Sequence, residues 1–289
     1  MDGVLNIYKP VGITSFDVIR RLKKVCNTKK IGHTGTLDPL ASGVLPICLG
    51  RATKAVDLIM NDYKVYKAEL KLGVITDTYD REGKILDTSS IDIQKEEIEK
   101  CIKSFTGDIF QIPPMYSAIK INGKKLYELA RKGVEIPREP RPITIYDIDI
   151  LDINIPFVTF QVKCSKGTYI RSLCYDIGNK IGCGGTMWNL ERIQSGIFNK
   201  DTAVEIDSIS TDNLIEYLIP IDRIFNNFDK LVINTTAEKL LINGVRVSNK
   251  HLINNAKENI MYRIYNENDT FLGLGSRNDI GLKIEKLLL

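Results

Sequence analysis

Gly32-His33-Thr34-Gly35-Thr36-Leu37-Asp38-Pro39-Leu40-Ala41-Ser42-Gly43-Val44-Leu45 is the most informative stretch of the chain. Its glycines allow close backbone approach around a single central carboxylate, Asp38. Residues Gly32 to Gly43 read as a loop leading into a short strand, Val44 to Leu49, and sites commonly sit in such loops between ordered elements. A phosphate-binding P-loop is excluded, because the GxxxxGK[ST] spacing is missing. An Asp-Pro pair alone is more often a turn than an active site, so Asp38 needs partners from elsewhere in the chain.

Upstream, Val4 to Tyr8 reads as a strand and Lys9-Pro10-Val11-Gly12 as a turn. Thr14 with Asp17 three residues on caps a helix whose apolar stripe is Val18, Ile19, Leu22 and Val25. Downstream, a helix runs through Ala55 to Met60. Tyr66, Ala68, Leu70 and Leu72 then alternate with Lys67, Glu69 and Lys71, the pattern of a half-buried strand. Thr76 to Asp80 is a polar turn. Ile98, Cys101, Ile102 and Phe105 mark a helix closed by Gly107. Asn122-Gly123 signals a tight turn, and residues 133–142, with three prolines, an extended exposed segment. Strands follow at Ile143 to Leu151 and Phe157 to Cys164, then a helix on Ile170, Leu173, Cys174 and Ile177. Gly182 to Gly185 reads as a helix terminus and loop. The short hairpin-like links predict an α/β (α+β) fold with a mixed, largely antiparallel central sheet flanked by helices. After Pro220 the pattern changes to a short helix, Ala237 to Ile242, and strands at 261–265 and 271–275. This suggests a small β-rich unit of about 60 residues.

The chain has 289 residues, 43% hydrophobic and 26% charged, which excludes disordered and collagen-like classes. No apolar run reaches membrane-spanning length, and the N-terminus lacks a basic-then-apolar export signal, so a cytoplasmic protein without membrane contact is expected. Six cysteines form no CxxC, and only His33 and His251 could serve as imidazole ligands, so no metal site is expected. The net charge of +4 is mild, but residues 1–54 carry nine basic side chains against three acidic ones. That cationic face suits a phosphate backbone.

The motif GHTGTLDPLASGVLP around Asp38, Lys64-Val65-Tyr66, and SKGTYIRSL around Arg171 occur in this order. Between the last two lies Pro113-Pro114-Met115-Tyr116-Ser117-Ala118-Ile119-Lys120, followed by Gly123, Tyr127, Ala130 and Arg131. With these motifs the chain closely resembles the bacterial TruB-type tRNA pseudouridine synthases over nearly its whole length. The resemblance implies a pseudouridine synthase catalytic domain at 1–225, with an RNA-binding insertion at about 109–142, and a PUA-like C-terminal domain at 229–289. It also implies isomerisation of uridine 55 to pseudouridine in the T loop of tRNA by base flipping. Nothing is lost or gained in that reaction, so no cofactor is expected.

On the same resemblance Asp38 is the catalytic carboxylate, acting either by covalent attack or by assisting bond cleavage and proton removal. Arg171 is its counter-ion, and Tyr66 the stacking partner and a candidate base. Leu190 matches an apolar floor position, His33 a residue that wedges into the T loop, and Asp80 a carboxylate that helps to position Arg171. Lys9, in a KPxGxTS-like opening, shapes the wall of the site. The T arm of tRNA is the expected partner, with no guide RNA, and the expected state is a monomer. A reading from another class stays open, an RNA-binding folding helper for tRNA whose modification activity is incidental. A synthase acting on ribosomal RNA is disfavoured by the insertion.

Overall fold

A computed structural model describes residues 1–121, 123–249, 253 and 256–289. Strand β1 (Gly3–Lys9) is almost wholly buried and turns into helix α1 (Ser15–Val25). The expected capping box is present: the Thr14 hydroxyl accepts the Asp17 amide, and the Asp17 carboxylate accepts the Thr14 amide. Gly32 and His33 are not in a loop. They belong to β2 (Ile31–His33), which pairs antiparallel with β3 (Ser42–Leu49), so that Gly32 faces Cys48 and His33 faces Ile47. The free edge of β3 captures them, and the loop shrinks to residues 34–41.

A 3-10 turn (Gly50–Ala55) leads into α2 (Val56–Met60) and the amphipathic β4 (Lys64–Leu72). A small hairpin, β5 (Val74–Thr76) and β6 (Ile85–Thr88), precedes α3 (Lys95–Lys103). That helix stops four residues before Gly107, because the Ser104 amide turns back onto the carbonyls of Lys100 and Cys101. Gly107, at φ +110°, instead opens β7 (Gly107–Gln111). Next come β8 (Lys120–Ile121), β9 (Lys124–Lys125) and α4 (Leu126–Ala130). Asn122, half of the expected turn, lies outside the described residues, as does His251. The extended segment after α4 ends at Arg141, where Arg141 and Pro142 already belong to β10 (Arg141–Asn154). β11 (Phe157–Cys164), α5 (Ile170–Ile181) and β12 (Gly185–Ser195) complete the centre of the molecule. Gly182 closes α5 in the left-handed conformation, as the sequence suggested.

The main sheet runs in the order β14-β1-β3-β12-β4-β11-β10-β7, with β14 (Val204–Glu205) at one edge. β2 and two short strands, β13 (Phe198–Asn199) and β15 (Leu218–Ile219), attach to its sides. Only β1–β14 and β3–β12 pair in parallel. The sheet is therefore mixed and largely antiparallel, as expected. The β3–β12 seam has just two register pairs, Glu191 with Ser42 and Arg192 with Gly43. On one side of it a core forms around Leu70, Phe160, Ile98 and Leu173; on the other, around Leu5, Leu22, Leu45 and Ile47. Each such fully buried side chain contributes roughly 1.5–3 kcal/mol. Tyr66 and Leu190 pack against both cores and so stand at the seam itself.

Helix α6 (Ile221–Ile224) leads to a separate four-stranded sheet of β16 (Asp229–Ile233), β17 (Met261–Asn266), β18 (Phe271–Asn278) and β19 (Gly281–Leu287), with α7 (Thr235–Ile242) between its first two strands. It has its own core around Leu231, Leu241, Ile264 and Leu282, while Leu274 and Leu288 pack with Val4 and Val44 of the main sheet. Among the described residues, no helix is long and apolar enough to cross a membrane.

Candidate active site

Asp38 sits in the loop between β2 and β3, and that loop is fastened on both sides. On one side the Ser15 hydroxyl, at the start of α1, both accepts the Leu37 amide (2.8 Å) and donates to the Leu37 carbonyl (3.0 Å). On the other, Arg192 of β12 crosses the seam, its Nε donating to the Val44 carbonyl at 2.7 Å and its Nη2 to the Gly35 carbonyl at 3.1 Å. The crossing requires glycine at position 43: its φ is +112°, and a β-carbon there would collide with the Arg192 carbonyl.

Arg171, in the first turn of α5, meets Asp38 from another element. Its Nε lies 3.0 Å from Asp38 Oδ2, and its Nη1 lies 3.6 Å from Asp80 Oδ2. The Arg171 side chain is 7% exposed and that of Asp38 34%, so the carboxylate stays reachable while its counter-ion does not. Arg171 also donates through Nη2 to the Tyr116 carbonyl at 2.8 Å. The start of α5 is held by the same neighbouring segment: the Gln111 amide exchanges two hydrogen bonds with the Tyr169 backbone, and the Ser172 hydroxyl donates to the Ile112 carbonyl. Asp80 is itself oriented by the Thr78 hydroxyl (2.7 Å) and the Glu82 amide (3.1 Å). Burial pushes the Asp80 carboxyl up, against the pull of Thr78 and Arg171.

Of the seven residues singled out in the sequence, Asp38, Arg171 and Asp80 form this one ionic chain. Tyr66 on β4 and Leu190 on β12 line the adjoining seam; burial pushes the Tyr66 phenol up, while Arg192 pulls it back. Lys9 is fully buried, and its ammonium donates to the carbonyls of Pro10 and Ile13, both at 2.8 Å. Burial brings it down to about 8, although Asp38 acts in the other direction. His33 is half-buried on β2, where its Nδ1 accepts the Gly35 amide at 3.3 Å. Burial and then Arg192 hold its pKa below the ordinary imidazole value. Among the described residues, no group of His, Cys, Asp and Glu stands together that could hold a metal ion.

Arg192 is the residue that reading the sequence missed. Its charge influences Lys9, His33, Lys64 and Tyr66, and it is one of the largest fully buried side chains. In the run Asn189-Leu190-Glu191-Arg192 it looks like an ordinary solvated charge. Its placement two residues after Leu190, on the same side of a strand, is the one signal that could have found it.

Residues 23–170 match the model of the TruB family pseudouridylate synthase N-terminal domain, and residues 171–226 that of the tRNA pseudouridylate synthase B C-terminal domain. The Asp38–Arg171 pair thus joins the two matched segments. The chain is similar to the tRNA pseudouridine synthase B of Clostridium novyi (strain NT), with 62% identity over the full length of both chains. It is 46% identical to that of Alkaliphilus oremlandii (strain OhILAs), over 100% of this chain and 99% of the other. A solved Cbf5-Nop10-Gar1 complex contains a chain of similar fold, with a TM-score of 0.74 and 28% identity over 99% of this chain and 85% of that one.

Proposed function

This chain belongs to the TruB family of pseudouridylate synthases and isomerises uridine 55 of tRNA to pseudouridine, and from that premise we propose how its residues divide the work. Asp38 is the catalytic carboxylate that acts on the extruded nucleoside. Arg171 pairs with it and holds its aim through a charge-assisted contact. The observation that carries this reading is the 3.0 Å ion pair in which the cation is buried and the carboxylate remains accessible. Asp80 positions Arg171 from behind.

Tyr66 is the platform for the flipped uracil, with Leu190 as the apolar floor beside it. Stacking contributes about 1–3 kcal/mol, comparable with the few kcal/mol needed to unstack a base. Tyr66 is also the candidate base for the C5 proton; burial disfavours its phenolate, and Arg192 offsets that only in part. Lys9 shapes the wall of the site. His33 enters the T loop in place of the departed base.

The protein works alone on the T arm, as a cytoplasmic monomer and without guide RNA. Residues 1–225 form the catalytic domain, including the RNA-binding insertion at about 109–142, and residues 229–289 a PUA-like domain. The test is to mix the purified chain, with no additive, and a tRNA transcript tritiated at uridine C5. Label released to water should plateau near one equivalent per tRNA. Release only after a second RNA or protein is added would overturn solitary action, and release of many equivalents would overturn single-site selectivity.

A further inference from the structure

The turn that presents Asp80 contains a strained residue. Tyr79 lies at φ +61°, a left-handed conformation that side chains rarely adopt and that persists only where its surroundings enforce it. The enforcement is visible. The Tyr79 amide donates to the Thr76 carbonyl, its carbonyl accepts the Met187 amide at 3.0 Å, and its ring stacks on Tyr175 with centroids 4.0 Å apart and planes 18° from parallel.

Tyr175 follows Arg171 by four residues, so the two side chains project from one face of α5, one turn apart. Tyr79 and Asp80 are adjacent in the turn. The same helix face therefore grips the same turn twice, through the Arg171–Asp80 ion pair and the Tyr175–Tyr79 stack.

A third element acts on this joint electrostatically. Arg138, from the irregular segment between α4 and β10, has a side chain only 14% exposed although its chain neighbours are exposed, and its Nη2 pairs with Glu135 at 3.0 Å. Its Nε is buried without a hydrogen-bond partner. The charges of Arg138 and Glu135 both reach the Tyr79 phenol, which burial and then Tyr175 push up and Arg138 pulls down. The Arg138 guanidinium is thus buried with one unmet donor, and its charge acts on the Tyr79 phenol of the stack.

We propose that Tyr79 and Arg138 are positioning residues, and that the Tyr79–Tyr175 stack is the joint through which the segment carrying Arg138 sets Asp80, and through it Arg171 and Asp38. This rests on the reading of Asp38 as the catalytic carboxylate.

The test compares Tyr79→Gly, Tyr79→Phe, Arg138→Gln and the Tyr79→Gly/Arg138→Gln double variant. Single-turnover C5-tritium release and tRNA Kd are measured for each, with Asp38→Asn as control. Glycine keeps the left-handed backbone and removes the ring; phenylalanine keeps the ring. Tyr79→Gly should slow single turnover on the order of tenfold, with Kd nearly unchanged. Tyr79→Phe should retain the wild-type rate. Arg138→Gln should give a smaller loss of rate, and the double variant should be no slower than Tyr79→Gly alone.

A wild-type rate in Tyr79→Gly would overturn the proposal. So would losses that multiply in the double variant, or an Arg138→Gln variant with weakened Kd and an intact rate, the behaviour of a plain phosphate contact. Should Tyr79→Gly not fold, Arg138→Gln and Tyr79→Phe decide by the same readouts. An active Asp38→Asn control would instead sink the underlying assignment of Asp38.

Discussion

Two buried arginines flank the Asp38 loop, and their partners differ in kind. Arg171 alone of the two has carboxylate partners, Asp38 and Asp80, besides the carbonyls of Thr78 and Tyr116. Arg192 faces two backbone carbonyls, Val44 and Gly35. A guanidinium bound to carboxylates holds their aim, whereas one bound to carbonyls satisfies acceptors that the two-residue β3–β12 seam leaves open. On the proposed reading the two cations have different principal duties, Arg171 at the Asp38 carboxylate and Arg192 in the shape of the loop, with a lesser effect on the Tyr66 phenol.

Removing each charge is the sharpest way to break that comparison. Arg171→Met should lower the single-turnover rate of modification by roughly 10²–10³ per folded molecule, the scale of losing a preorganised charge at a reacting centre. An unchanged rate would move Arg171 into the same structural class as Arg192. Arg192→Met should instead lower unfolding free energy by about 2–5 kcal/mol, because the Val44 and Gly35 carbonyls lose their donor, while the rate per folded molecule suffers much less than in Arg171→Met. Denaturant midpoints together with active-site-normalised rates check this. A fully stable but inactive Arg192 variant would reverse the two duties.

A smaller loss is expected from Gly43→Ala, which keeps the arginine but forces a β-carbon into its carbonyl at a left-handed position. The cost should exceed about 1 kcal/mol in the unfolding free energy. A Gly43→Ala variant as stable as the parent would show that the seam yields easily and that Arg192 does not depend on it.

The smallest effect concerns pH. Lys9 holds its proton only up to about 8 in the folded chain, against the ordinary lysine value of 10.5 in the unfolded one. Between those values the unfolded chain binds the extra proton, so this group makes stability rise as pH rises from 8 to 10.5. Lys9→Met should remove that rise, as read from denaturant midpoints across the window. An unaltered slope would show that Lys9 is not held in the buried pocket beside the Asp38 loop.

How far the site was legible follows from the same contrast. Asp38, Tyr66 and Arg171 stand in distinctive motifs, and β4 announced itself by strict alternation because one of its faces is wetter than the other. β12 gave no such signal. It lies between β3 and β4 with a bulge between Met187 and Asn189, so its alternation is interrupted and its charged residues mix with buried ones. Arg192 was hidden with it. β2 went unseen for a different reason: three residues inside a glycine-rich run have no periodicity of their own, and only the edge of β3 makes them a strand. The Tyr79–Tyr175 stack joins residues far apart in the chain, and no local pattern could bring them together.

The claim on which the rest depends is that the Asp38 carboxylate carries out the isomerisation and does not merely shape the loop. C5-tritium release by Asp38→Asn, measured at concentrations where the variant is shown to bind tRNA as the parent does, tests it most directly. Full binding and no release above background are expected, because asparagine preserves the volume of the side chain and removes its charge. Release at the parent's rate would contradict the claim.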